Sequence, residues 1–120
     1  MPNTNLDGKT FRSVANTPNG EVGAETIFRY HQSGSIVSAE YSGGAIVTGH
    51  LLAVMDEHGR LDMRYHHLND QGELMAGQCV STPERLPDGR LRFHETWQWL
   101  TGDQSSGQST IEEVVVHPAG

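Results

Sequence analysis

Three short connections constrain this chain more than any other feature: Asp56-Glu57-His58-Gly59-Arg60, Asn69-Asp70-Gln71-Gly72-Glu73 and Leu86-Pro87-Asp88-Gly89-Arg90. Each places glycine where a type I turn followed by a G1 bulge requires a positive φ. Each stands between runs that alternate apolar and polar residues, so the stretch from Tyr41 to Leu100 reads as successive hairpins. A loop of this kind pairs its flanking residues and thereby fixes register. Pairing Asp56 with Arg60 sets Leu51 opposite Tyr65 and Ala53 opposite Met63. Pairing Asn69 with Glu73 sets Tyr65 opposite Gly77 and Met63 opposite Cys79. Pairing Leu86 with Arg90 sets Cys79 opposite Trp97 and Ser81 opposite Glu95.

Odd positions therefore face odd positions throughout this stretch. One face carries Leu51, Met63, Tyr65, Met75, Cys79, Phe93, Glu95, Trp97 and Trp99, and it is expected to be the interior. The other carries Asp62, Arg64, His66, Arg92, His94 and Gln98, as a solvated surface should. Upstream, Lys9–Val14 reads as a first strand closed by Asn19-Gly20, Val22–His31 as a second, and Ser35–Tyr41 as a third after a turn at Ser33-Gly34. These two-residue turns change parity and bring Phe11, Phe28 and Tyr30 to the side of Val37 and Tyr41. Ala45–Met55, Leu61–Leu68, Glu73–Ser81, Leu91–Leu100 and about Gln108–Val116 complete the set. Helical periodicity is absent. The expectation is an all-β protein, an eight-stranded antiparallel up-and-down meander. Its two edges are removed only if the first strand meets the last, and eight strands close around side chains or one small ligand.

The chain's 120 residues suit one barrel domain covering 1–120, with frayed residues 1–7 and a tail at 117–120. Eight Lys+Arg against 15 Asp+Glu give a formal charge of −7, which disfavours nucleic acid and anionic membranes as partners. A single cysteine, an N-terminus without a basic and apolar leader, and no run approaching the roughly 18 apolar residues of a membrane span point to the cytoplasm. In the fourth strand the outward set Ile46, Thr48, His50, Leu52 and Val54 is too apolar for water: either it makes a contact between copies of the chain, a homo-oligomer, or the strand is twisted or bulged so that both faces are partly covered.

Glu95 is the residue from which function is read, because its register puts a carboxyl among aromatic rings where an unpaired charge is costly. Tyr30, Tyr41, Tyr65, Ser81 and, if the eighth strand turns odd residues inward, Glu113 are its candidate partners. In such a place Glu95 can hold a cationic or hydroxylated ligand, or act as a general acid or base with a raised pKa, assisted by Tyr65. It can equally be a carboxylate hydrogen-bonded at the barrel mouth. Trp97 and Trp99 project to one side and either line a pocket for a flat apolar ligand or fill volume. The expected ligand site is Tyr41, Tyr65, Glu95, Trp97, Trp99 and Glu113. No metal site is expected, since His66 and His67 point to opposite faces and the His50–His66 pair has no third ligand. Cys79 reads as a small interior hydrophobe. No Walker loop, dinucleotide fingerprint or nucleophile elbow is present, so no cofactor is expected.

The segments Tyr41-Ser42-Gly43-Gly44, Asp62-Met63-Arg64-Tyr65-His66, Cys79-Val80-Ser81-Thr82-Pro83 and His94-Glu95-Thr96-Trp97-Gln98-Trp99 resemble a family of short bacterial proteins of about this length, often labelled N-acetylglutamate synthase. The similarity covers nearly the whole chain. An acetyltransferase of the usual kind needs a mixed α/β fold and a Gly-rich turn leading into a helix, and the sequence offers neither. In architecture the meander is similar to the calycins, the group of lipocalins, fatty-acid-binding proteins and avidins, with avidins nearest in length. That likeness is one of fold, which does not fix function; the reading taken from the residues is an oligomeric barrel that binds a small, partly apolar molecule at one mouth. The alternatives are an enzyme using the same pocket, with Glu95 as acid or base, and an adaptor barrel working through its fourth-strand surface.

Overall fold

A computed structural model describes residues 5–115. Eight strands, β1 (Thr10–Asn16), β2 (Ile27–Ser33), β3 (Ile36–Gly43), β4 (Ile46–Met55), β5 (Leu61–Asn69), β6 (Leu74–Arg85), β7 (Leu91–Trp99) and β8 (Ser106–Val114), form one closed antiparallel barrel in sequence order. Closure comes from β1 pairing with β8, Phe11 opposite Glu113 and Ser13 opposite Ile111. That pairing closes the sheet on itself, with β1 beyond Arg12 lacking a partner in β2.

The glycine-ended turns set the register as their chemistry requires. Gly59, Gly72 and Gly89 have φ of 81°, 76° and 91°. In each loop the flanking pair is hydrogen-bonded, with Asp56, Asn69 and Leu86 N–H donating to the carbonyls of Arg60, Glu73 and Arg90. Leu51 lies opposite Tyr65, Met63 opposite Cys79, Cys79 opposite Trp97 and Ser81 opposite Glu95. Phe28 and Tyr30 face the same side as Ala39 and Tyr41, as the parity argument requires.

Four local readings are corrected. Asn19-Gly20 is not a tight hairpin: Gly20 lacks the positive φ of a type I′ turn. Residues 17–26 instead form a ten-residue strap before β2 begins at Ile27. The alternation Val22, Ala24, Thr26 mimics a strand there. The Thr26 hydroxyl binds the backbone instead, accepting from Gly23 N–H and donating to the Gly43 carbonyl, which takes the segment out of the ladder. The β2–β3 turn is centred one residue later, on Gly34-Ser35, with Gly34 at φ 61°. On β4 a bulge between Ile46 and Thr48 turns Ile46 into the core and Val47 outward. β6 runs past Ser81 to Arg85, carrying Pro83 opposite Phe93.

The barrel's two ends differ. At the end that carries the Gly34, Gly59 and Gly89 turns, Phe11, Tyr30 and Phe93 pack ring on ring at 5.0–6.5 Å, with Leu6, Leu61, Leu91 and Ile111 filling the space between. Leu6 is fully buried and its N–H donates to the Gln32 side chain, so the frayed segment expected for residues 1–7 does not include it. Residues 1–4 of that segment and the expected tail at 117–120 lie outside the described residues. Among the described residues no helix is long and apolar enough to cross a membrane.

Candidate functional site

The opposite end is hollow beneath the strap. Only Thr10, Phe11 and Arg12 of β1 pair with β2, because the chain leaves the sheet after Asn16 and rejoins it at Ile27. The strap closes the resulting gap and the barrel mouth. Asn16 Nδ2 donates to the Val22 carbonyl, Asn19 Nδ2 to the Ser106 carbonyl, and the Trp99 indole N–H to the Asn19 carbonyl. Beneath it remains a cavity of about 50 Å³. Its walls are Phe28, Tyr41, Leu51, Met63, Tyr65, Cys79, Trp97 and Trp99, and Gly20, Glu21 and Val22 form its roof.

The aromatic walls are seated on glycines. Tyr41 lies over Gly49, Tyr65 over Gly77 and Trp97 over Gly107, each so close that a Cβ would collide with the ring. Cross-strand pairing puts Tyr41 opposite Gly49, Tyr65 opposite Gly77 and Trp97 opposite Gly107, so the missing side chains let the rings lie against the wall. Trp97 and Trp99 then tilt together at 5.6 Å, and Tyr65 and His67 each meet Trp99 edge-on at 5.9 and 5.7 Å.

Glu95 points into this space from β7. Ser81 and Ser109 hydroxyls donate to its two carboxyl oxygens, each at 2.9 Å. Burial pushes its pKa up, and the two serine hydrogen bonds pull against that shift. Of the expected partners, Ser81 takes the role, and Tyr30, Tyr41 and Tyr65 do not. Ser109 is the partner that sequence reasoning missed, although β8 turning Glu113 inward turns Ser109 inward as well. Glu113 sits at the other end of the barrel, paired with Lys9 at 3.0 Å and accepting from Leu91 N–H, and it does not line the cavity.

Tyr41 serves a second polar group at the mouth. Its hydroxyl lies 2.9 Å from His67 Nδ1, and His67 Nε2 lies 2.7 Å from Glu21 Oε1. Burial, the main influence on His67, lowers its pKa, so the ring is neutral at pH 7. A neutral ring in this chain accepts from the Tyr41 hydroxyl and donates Nε2–H to the Glu21 carboxylate. Asn69 Nδ2 donates to the second Glu21 oxygen at 3.0 Å. His67, Asn69, Glu21 and Asn16 were all missed. The parity that sends His66 outward also sends His67 inward beside Tyr65, a signal present in the sequence.

Burial raises the Tyr41, Tyr65 and Cys79 pKa values, so these groups stay protonated and neither phenol is a base. His50 and His66 lie side by side on the outer surface, ring centres 5.9 Å apart.

A family model described as Avidin-like protein matches residues 4–114. No curated protein and no solved structure matches the chain.

Proposed function

The chain belongs to the avidin-like family, whose members often bind small molecules, and we propose that it binds a small, partly apolar molecule in the mouth-end cavity. The observation that carries this reading is the cavity's composition. Apolar and aromatic walls surround a few oriented polar groups, Glu95 with its two serines on one side and His67 with Asn69 on the other. That mixture is the usual make-up of a ligand pocket. Tyr41, Tyr65, Trp97 and Trp99 supply contact area, and Glu95 supplies the polar anchor. Thermal melts and tryptophan fluorescence against small apolar molecules test it. A true ligand raises the melting temperature progressively as its concentration passes the dissociation constant. Flat melts across the whole panel, at concentrations up to solubility, contradict it.

Two further readings each rest on one observation. The raised pKa of Glu95 favours a general acid, and that reading requires product formation abolished by Glu95→Gln in a protein that still folds and binds. The outer surface of β3 and β4 favours self-association: Ile36, Leu52 and Val54 are 58, 60 and 59 % exposed and adjacent in register, with His50 and Thr48 continuing the strip. Ile46, turned inward by its bulge, takes no part in it.

A further inference from the structure

The cavity is smaller than its lining implies. About 50 Å³ holds a few water-sized groups, whereas pockets for metabolite-sized ligands run to roughly 300 Å³ or more. Glu21 and Val22 of the strap line the cavity from the roof.

The way Glu21 is held identifies what it replaces. Its two carboxylate oxygens are met separately, Oε1 by His67 Nε2 at 2.7 Å and Oε2 by Asn69 Nδ2 at 3.0 Å. Both donors are aimed by bonds made at their other ends. The Tyr41 hydroxyl holds the His67 ring at Nδ1 with Nε2 turned to the mouth, and the Glu21 carboxylate, which only accepts, selects the tautomer that carries Nε2–H. Asn69 Oδ1 accepts from Gln71 and Glu73 N–H within the β5–β6 turn, which leaves the amide nitrogen facing inward, its other hydrogen toward Glu73 Oε1 at 3.1 Å. The contacts that place the two side chains, from Tyr41 and from the β5–β6 turn, belong to the barrel and do not depend on the strap. His67 is 2 % exposed, while the Glu21 side chain retains 25 %. A fixed, buried donor pair thus meets a carboxylate that arrives on an irregular, half-wet segment.

The other donors that meet this segment follow the same pattern. Trp99 N–H and Asn16 Nδ2 both donate to strap carbonyls, of Asn19 and Val22. Lifting the strap leaves several oriented donors around an aromatic slot, which suits a ligand bearing acceptors at one end and an apolar body.

Resting on the reading that this cavity binds small molecules, we propose that Glu21 is an internal occupant, standing where the carboxylate of a small apolar acid binds once the strap is displaced. The ligand class is then a short-chain or aromatic carboxylate, its charged end on His67 and Asn69 and its apolar part along Trp97, Trp99 and Tyr65.

The test empties the carboxylate seat and refills it. Glu21→Ala is melted with sodium acetate, with acetamide, and with sodium chloride at matched ionic strength. It is then titrated with hexanoate and hexanamide, following tryptophan fluorescence. The expected result is that acetate raises the melting temperature of Glu21→Ala while acetamide and chloride do not. Wild type, its seat filled, responds at least tenfold less sensitively. Hexanoate binds the variant at least tenfold more tightly than either hexanamide or acetate. Equal rescue by acetate and acetamide, or none by acetate, overturns the carboxylate assignment. If hexanamide then binds as well as hexanoate, the cavity reading stands without it. If neither six-carbon probe binds and acetate alone rescues, the seat stands and the apolar pocket falls. Should Glu21→Ala fail to fold, Glu21→Ser, whose short side chain also vacates the seat, carries the same comparison: acetate must outperform acetamide, and equal responses overturn the proposal.

Discussion

Replacing Gly49 with alanine sets two effects of opposite sign against each other. Alanine in a strand interior is ordinarily favoured over glycine by roughly 0.5–1 kcal/mol, because glycine loses more backbone freedom on folding. Gly49 has an ordinary strand φ, so that gain is available. A Cβ at Gly49, however, falls 2.6 Å from the Tyr41 ring and 2.7 Å from His67 Cβ. Tyr41 and His67 are both buried and joined through the tyrosine hydroxyl, so neither can yield without the other. Overpacking of this kind costs about 1–3 kcal/mol, and breaking the Tyr41–His67 hydrogen bond costs about 1 kcal/mol more. The steric terms win, and the net effect is a destabilisation of about 1–3 kcal/mol. At roughly 4 °C per kcal/mol for a domain of this size, the melting temperature falls by roughly 4–12 °C. Urea unfolding followed by tryptophan fluorescence measures it. Gly23→Ala in the strap is the control, since a Cβ there meets nothing within 4 Å and φ is ordinary. That change leaves stability unchanged or raises it by up to about 1 kcal/mol. If Gly49→Ala behaves like Gly23→Ala, the tyrosine ring does not lie on Gly49, and the account of how the pocket wall is built is wrong.

Other consequences follow from single groups. Glu95 holds its proton to higher pH in the folded chain than in the unfolded one, so stability falls as pH rises from about 4 through its raised pKa. Glu95→Gln removes that loss: its stability relative to wild type grows with rising pH, and parallel pH–stability curves for the two proteins would falsify the burial argument. On the outer face, Leu52→Lys places a charge in the strip shared with Ile36 and Val54 and converts an oligomer to monomers in sedimentation velocity. An unchanged sedimentation coefficient places self-association elsewhere. Asn19→Ala removes the strap's side-chain bonds to Ser105 and Ser106 while leaving the barrel wall intact. Faster amide exchange is expected over residues 19–23 with protection in β5–β7 unchanged; loss of protection throughout contradicts an independently opening strap.

What the sequence made legible is local and periodic. Gly59, Gly72 and Gly89 state their turn within five residues, and each turn then propagates an exact alternation along two strands, so the inward positions of Tyr65, Glu95, Trp97 and Trp99 follow from residues close to them in the chain. The strap was not legible because its conformation is decided elsewhere. Val22, Ala24 and Thr26 alternate as a strand would, while bonds from the Thr26 hydroxyl, the Asn16 and Asn19 amides and the Trp99 indole, all to distant or irregular backbone, hold the segment out of the sheet. The Glu21 contact spans 46 residues to His67 and carries no signal in its own neighbourhood. Ile46 was misplaced for a related reason, since a bulge reverses parity without a composition of its own. His67 and Ser109 are a different case, recoverable by extending the same alternation one or two residues further along β5 and β8.

The claim on which the account depends is that small molecules enter the barrel beneath the strap rather than settle on its outer face. Amide and indole chemical shifts of the labelled protein, recorded while the best-binding small molecule is added, test this directly. The expected changes are at Trp97 and Trp99 N–H, Tyr41, Tyr65, Cys79, Glu95 and residues 19–23, with Ile36, Leu52 and Val54 unmoved. Shifts confined to Ile36, Leu52 and Val54, with both indoles unchanged, contradict it.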